Sequence, residues 1–231
     1  MSALSGTLAV VTGASRGIGA ATADLLEREG ARVVRLARTI TEGRGERSLS
    51  IRCDVTDAAW LQAVASRIEE EWGAPDLLVN NAGAFHLAPF DETAEADFDA
   101  QLAVNVKGPW LTAQAFVPRM RAAGGGLVVT IGSVADHHAF PGNAAYAAAK
   151  FGVRGLHETL LAEYRGTGLR FTLISPGPTD TAAWDPVDPD SREGFTPRAR
   201  MLRPADVADA VLFAATRPAN VQLEWVRLGP A

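Results

Sequence analysis

Leu8-Ala9-Val10-Val11-Thr12-Gly13-Ala14-Ser15-Arg16-Gly17-Ile18-Gly19 is the stretch whose reading decides the fold. Leu8 to Val11 is apolar at every position, the pattern of a strand buried on both faces. It stops at Thr12-Gly13, and a helical pattern follows with Ala21, Leu25 and Leu26 on one side. That helix ends at Glu29-Gly30, where glycine enters the left-handed conformation that closes a helix without steric cost. Glycines between strand and helix let the chain turn tightly and let a phosphate approach the backbone. The exposed amides and dipole of the helix start then favour its negative charge. The spacing is G-x-x-x-G-x-G, not the G-x-G-x-x-G of many dinucleotide enzymes. A glycine-rich turn alone decides little; its place directly after the first strand gives it weight.

Working outward, apolar runs predict strands at Ala31–Ala37, Ser48–Arg52, Asp76–Val79, Leu127–Ile131, Arg170–Ile174 and Leu223–Arg227. Helical periodicity covers about Asp57–Trp72, Glu95–Arg121 with an interruption near Gly108-Pro109, Ala144–Tyr164 and Pro204–Thr216. Strands alternating with helices of this length imply a parallel sheet covered on both faces. One stretch breaks the rhythm: Pro176 to Pro204 holds six prolines and no clear period. So long a loop in a compact domain is functional, disordered or a solvated connection. The first reading makes about 178–200 a substrate loop that closes over the site.

The 231 residues carry a net charge of −5, so no broad basic surface suggests nucleic acid or an anionic membrane as partner. One cysteine, Cys53, excludes an intrachain disulfide. The first residues lack the basic and apolar regions of a signal peptide, and no apolar run is long enough for a membrane span. A cytoplasmic protein is the expectation. With four histidines and one cysteine, no zinc-like ligand spacing appears, and no metal is expected.

Tyr146 and Lys150 lie four residues apart on a predicted helix, so both project from one face. A free tyrosine, with a pKa of about 10, is a poor base at neutral pH. A neighbouring ammonium favours the phenolate and turns Tyr146 into a proton donor and acceptor. Taken alone, the pair reads first as a packed tyrosine beside a solvated lysine, since such pairs are common by chance. Ser133 follows the fifth strand, at the carboxyl edge of the sheet where ligands bind; it is either a donor to a substrate oxygen or a turn serine.

Thr12-Gly13-x-x-x-Gly17-Ile18-Gly19, Asn80-Asn81-Ala82-Gly83, Asn105, Ser133, Tyr146-x-x-x-Lys150 and Pro176-Gly177 occur in this order, with 13 residues from Ser133 to Tyr146. In that order and spacing the chain resembles the short-chain dehydrogenase/reductase family from Leu4 to about Leu228. The resemblance implies a single doubly wound Rossmann-fold domain spanning 1–231, with a mostly or wholly parallel sheet of seven strands. It implies an oxidoreductase moving a hydride between a nicotinamide cofactor and a carbonyl or secondary alcohol. Tyr146 would be general acid in reduction and base in oxidation. Lys150 would lower the Tyr146 pKa and bind the nicotinamide ribose, and Ser133 would polarise the carbonyl. Asn105 would hold a water linking Lys150 to solvent. The cofactor would meet Gly13, Ser15, Arg16, Gly17, Ile18 and Gly19 in the glycine loop. Asp54 and Val55 would meet its adenine, and Asn81, Ala82 and Gly83 would shape the floor of its site. Pro176, Gly177 and Thr181 would lie at the nicotinamide, beside Tyr146 and Lys150. A homodimer or homotetramer built through the long helices is the assembly the resemblance implies.

The end of the second strand separates NAD(H) from NADP(H), because an acidic residue there binds free ribose hydroxyls and repels a 2′-phosphate. Here Val33-Val34-Arg35-Leu36-Ala37-Arg38 has no Asp or Glu until Glu42. Arg38, with Arg16, offers guanidinium groups to the phosphate, so NADP(H) is the expected cofactor and NAD(H) the alternative. Phe85, His86, His137, His138 and Trp184 are candidate pocket residues, each equally readable as packing or surface. The carboxyl terminus lacks the Asp-Gly-Gly common in the family. A rival of another class is a dinucleotide-responsive regulator with the same fold and no turnover. Ser133, Asp136 and His137 also invite a hydrolase reading, but Gly132-Ser133-Val134-Ala135 is not G-x-S-x-G.

Overall fold

In the computed structural model, which describes residues 2–231, Ala9 and Val11 of β1 (Leu8–Thr12) point to one face of a sheet, and Leu8 and Val10 to the other. Every residue of β1 is buried, as its unbroken apolar run requires. Helix α1 (Gly17–Arg28) follows directly, and Gly30 takes φ 92° just beyond its end, the left-handed turn expected there. Next come β2 (Arg32–Ala37), a two-residue β3 (Gly43–Arg44), β4 (Ser48–Arg52) and α2 (Ala58–Trp72). Asp57 caps α2, its carboxylate accepting from the Trp60 amide at 2.9 Å. The second half runs through β5 (Leu77–Asn80), α3 (Glu95–Leu102), α4 (Gly108–Ala122), β6 (Gly126–Ile131), α5 (Ala144–Glu163), β7 (Leu169–Pro176), α6 (Pro204–Ala215) and β8 (Trp225–Leu228).

The strand order is β3-β4-β2-β1-β5-β6-β7-β8, parallel throughout except for β3 against β4. The eighth strand corrects the expected seven. Gly43 and Arg44 are exposed, and an exposed polar pair at a sheet edge carries no apolar alternation to announce it. Ala9, Val11, Val33 and Val79 pack with Leu26 of α1 and Val211 of α6 on one face. On the other, Leu8, Val10, Leu36 and Leu78 pack with Ile68 of α2 and Phe116 of α4. The result is a doubly wound, Rossmann-like α/β fold. Its order reverses between β1 and β5, and loops leaving the carboxyl ends of those strands diverge there into a crevice.

The interruption expected near Gly108-Pro109 takes another form. The backbone stays helical, with Gly108 at φ −57° and ψ −59°, but residues Ala103–Lys107 widen into a π-helical turn. Pro109 has no N–H to donate to the Asn105 carbonyl four residues back. Widening the preceding turn accommodates that loss without breaking the rod. Among the described residues, no helix is long and apolar enough to cross a membrane.

Candidate active site

A cleft of about 470 Å³ opens along the carboxyl edge of the sheet, from Arg38 and Asp54 at one end to Phe85 and Trp184 at the other. Its centre is the glycine loop. Gly13 and Gly17 take φ 66° and 58°, positions where a side chain is strained. A Cβ on Gly13 would also lie 2.8 Å from the backbone of Ala82. Thr12 ties this loop to the next: its hydroxyl donates to Val79 O at 3.2 Å and accepts from the Asn81 and Ala82 amides at 3.0 and 3.1 Å. Asn81 Nδ2 returns the contact, donating to Thr12 O at 2.9 Å and Gly13 O at 3.2 Å. Gly19 packs behind the loop, against Gly13 O and Asn81, rather than facing the cleft. No side chain caps α1, and its first turn holds no acidic residue. Its leading amides therefore point into the cleft without a protein partner, a site built for an anion.

At the outer end Arg16 and Arg38 both line the cleft and are exposed. Arg35, one turn of strand earlier, is instead held by Asp24 at 2.6 Å and Glu27 at 2.8 Å. Glu42, the first acidic residue after β2, accepts from the Arg52 amide at 3.1 Å and lies outside the lining. Asp54 Oδ1 accepts from the Thr56 amide and hydroxyl at 2.9 and 2.8 Å. Burial pulls the Asp54 pKa upward, but those hydrogen bonds and the Arg38 charge outweigh it and leave it below the ordinary value. Val55 lies beside it in the lining.

The inner end collects Asn105, Ser133, Tyr146 and Lys150 from three separate segments. Lys150 and Tyr146 share one face of α5, and Lys150 Nζ sits 5.6 Å from the Tyr146 ring centre. Lys150 is buried and donates to Ile131 O at 3.0 Å, which fixes the ammonium beneath the end of β6. Burial pushes the Tyr146 phenol up to about 12, partly opposed by the Ser133 hydroxyl and assisted by the Asp136 charge. The same burial brings Lys150 down to about 8, with Asp136 opposing. Desolvation therefore sets the direction of the tyrosine shift in the site as it stands, against the lowering expected of its lysine.

Asn105 is buried in the π-helical turn, and both halves of its amide are spent on Ala84: Nδ2 donates to Ala84 O at 2.8 Å and Oδ1 accepts from Ala84 N at 3.2 Å. Its side chain thus shapes the loop after β5. Gly83, Pro176, Gly177 and Thr181 lie in the lining as expected, with Thr181 against Gly17.

Ser133 is the N-cap of a single helical turn, Val134–Asp136. Its hydroxyl accepts from Ala135 N at 3.1 Å, and its amide donates to Asp136 Oδ2 at 3.1 Å. Asp136 is fully buried; its Oδ2 also accepts from the Ser175 hydroxyl at 2.5 Å, and its Oδ1 lies 2.6 Å from His137 Nδ1. His137 faces Asp136 and the Trp225 ring, not the Ser133 hydroxyl, so no serine–histidine pair forms. Of the candidate pocket residues, Phe85 and Trp184 line the cleft; His86, His137 and His138 do not. Sequence reading passed over Asp136 as a support of Ser133, because a buried carboxylate has no local signature. Val134 and Phe140 also escaped it, since wall residues carry no motif.

Residues 7–192 match the family model for short chain dehydrogenase. The chain is 39% identical to a D-threitol dehydrogenase of Mycolicibacterium smegmatis, over 92% of this chain and 87% of that protein. It is 35% identical to the 2-(R)-hydroxypropyl-CoM dehydrogenase of Xanthobacter autotrophicus, over 92% of each. A metagenomic short-chain oxidoreductase solved in complex with NADP superposes with a TM-score of 0.84 at 34% identity, covering 100% of this chain and 99% of that one. The glycine loop, the Asn105–Ser133–Tyr146–Lys150 cluster and these likenesses make this chain a member of the short-chain dehydrogenase/reductase family of oxidoreductases.

Proposed function

We propose that this oxidoreductase interconverts a carbonyl compound and its secondary alcohol with NADP(H), using Tyr146 as general acid and base. The observation that carries the reading is the convergence of Ser133, Tyr146 and Lys150 at one end of a cleft whose other end is an uncapped helix start flanked by glycines. The cleft fits a dinucleotide. The leading amides of α1 would take its pyrophosphate, the exposed Arg38 and Arg16 a 2′-phosphate, and Lys150, Thr181 and the loop of Pro176 and Gly177 its nicotinamide half.

When bound, the reduced nicotinamide supplies two electrons and a hydrogen to the carbonyl carbon, and is itself oxidised. The protein manages the oxygen. Ser133 and Tyr146 hold it between their hydroxyls, and the π pair of the C=O bond moves onto it. The Tyr146 Oη proton follows, closing the alcohol. A phenol held up at about 12 is protonated at neutral pH, the state a general acid needs. Lys150, fixed by Ile131 O, stabilises the phenolate left behind, and a water on the Asn105 carbonyl returns the proton. In oxidation each step reverses.

The absence of an acidic lining residue at the end of β2, with Glu42 turned to Arg52, supports NADP(H) over NAD(H). Trp110 on α4 and Phe151 on α5, 45% and 47% exposed, support self-association into a homodimer or homotetramer through these helices.

Replacing Tyr146 with Phe tests the mechanism. Turnover should fall on the order of 10²- to 10⁴-fold, while NADPH binding persists. Undiminished turnover would overturn it.

A further inference from the structure

The end of the cleft beyond Ser133 and Tyr146 has a composition of its own. Phe85 stands edge-on to Tyr146, ring centres 4.9 Å apart at 82°, and tilts against Trp184 at 4.8 Å. Trp184 in turn meets Phe195 at 6.3 Å. These rings come from the loop after β5, from α5 and from the loop after β7, and they join into one apolar wall that Val134 and Phe140 extend. The charged side chains lining the whole cleft are Arg16, Arg38, Asp54 and Lys150. The first three are at the far end, and Lys150 is engaged by Ile131 O.

Polar capacity near the wall is equally limited. The Thr179 hydroxyl is taken by Gly177 O at 3.0 Å, and the Asn105 amide by Ala84. That leaves the Ser133 and Tyr146 hydroxyls, both of which the reacting oxygen uses, and the Thr181 hydroxyl, which the reading above gives to the nicotinamide. A polyol or carboxylate placed here would lose its hydration with few side-chain partners in return, whereas an apolar ring gains by leaving water. A cage for a quaternary ammonium needs rings facing a common space; these pack edge-on or tilted against one another instead.

Resting on the hydride-transfer reading above, we infer that the substrate is a neutral ketone, or its secondary alcohol, whose unreactive part is an aromatic or alicyclic ring. Ring and wall meet at Trp184 and Phe85, and the carbonyl reaches back to Ser133 and Tyr146.

The test pairs turnover with occupancy. With NADPH, kcat/KM is measured for acetophenone, cyclohexanone, erythrulose, benzoylformate and betaine aldehyde, and with NADP⁺ for 1-phenylethanol and D-threitol. The two ring ketones should exceed every hydroxylated or charged counterpart on the order of 30-fold or more, the effect of burying a ring. Saturation-transfer NMR on the protein with NADP⁺ should show acetophenone ring protons in contact, and Trp184→Ala should weaken that signal while NADPH affinity holds. Preference for erythrulose, D-threitol, benzoylformate or betaine aldehyde would overturn the inference and leave hydride transfer standing. So would the absence of acetophenone contact in the unmodified protein, whatever turns over. Failure of NADP⁺ to bind in the same NMR samples would instead overturn the reading beneath it.

Discussion

Gly132 and Asp136 share one space: a Cβ on Gly132 would overlap the Asp136 carboxylate, and it would come within 3.0 Å of Leu173 and 3.2 Å of the Ser175 hydroxyl. The missing side chain is what lets a fully buried carboxylate sit under the end of β6 and accept from the Ser133 amide and the Ser175 hydroxyl. Trp225 extends the cluster, its indole N–H donating to the Ser175 oxygen at 2.8 Å.

Gly132→Ala should therefore destabilise the fold by about 1–3 kcal/mol, the usual cost of overpacking a full interior. Urea denaturation reads it as a lower midpoint at unchanged slope. A midpoint equal to that of the parent would mean that Asp136 has room to move.

The pH profile of reduction should report Lys150. Its ammonium, brought down to about 8 by burial, is intact below that pH and lost above it, so reductive turnover should decline as pH rises through about 8. The sign for stability is opposite. The unfolded chain keeps this proton up to the ordinary lysine value of about 10.4. Between the two values it binds more protons than the fold does, and the Lys150 contribution to stability rises with pH.

Asp136→Asn separates charge from packing in this cluster. The carboxylate opposes the fall of the Lys150 pKa, so its loss should move the alkaline limb of the turnover profile to lower pH. A variant with slower turnover but an unmoved limb would show that Asp136 acts through geometry alone.

Arg198 pins the turn that carries Trp184. Its guanidinium meets Asp180 at 2.7 Å and Asp185 at 2.6 Å, one before the turn and one after, and donates to Thr181 O at 3.2 Å. Arg198→Ala should raise KM several-fold and leave kcat nearly unchanged, because the residue holds the wall and touches no reacting atom. An equal loss in kcat would place the loop in the chemical step.

Cofactor choice should respond to Arg38. Arg38→Asp should weaken NADPH on the order of 10- to 100-fold, the worth of a charge-assisted hydrogen bond lost and a repulsion gained. NADH should hold or improve. Isothermal titration with each dinucleotide decides it, and an unchanged NADPH affinity would assign the phosphate elsewhere.

What the sequence disclosed follows the reach of each signal. Buried parallel strands announce themselves, since both faces must be apolar, and β1 is wholly buried as read from Leu8 to Val11. Chemistry fixed by local spacing was equally legible: Tyr146 and Lys150 had to share a face of α5. The exposed β3 pair left no trace, because polar edge residues obey no period. The π-helical turn at Asn105 was seen only as a disturbance at Gly108-Pro109, since proline marks where a ladder fails but not how the helix recovers. Asp136 was hidden for another reason. Its partner Ser175 lies 39 positions away, and Trp225, which donates to Ser175, lies 89 away; only folding brings them together.

The most direct measurement is a titration of the purified protein with NADPH and with NADH, followed through quenching of tryptophan emission, with Trp184 already in the cleft. Saturable quenching by both, with NADPH the tighter ligand, is the predicted result. Saturation by NADH alone would keep the oxidoreductase and contradict the role of Arg38 and Arg16. Saturation by neither would contradict the dinucleotide cleft itself.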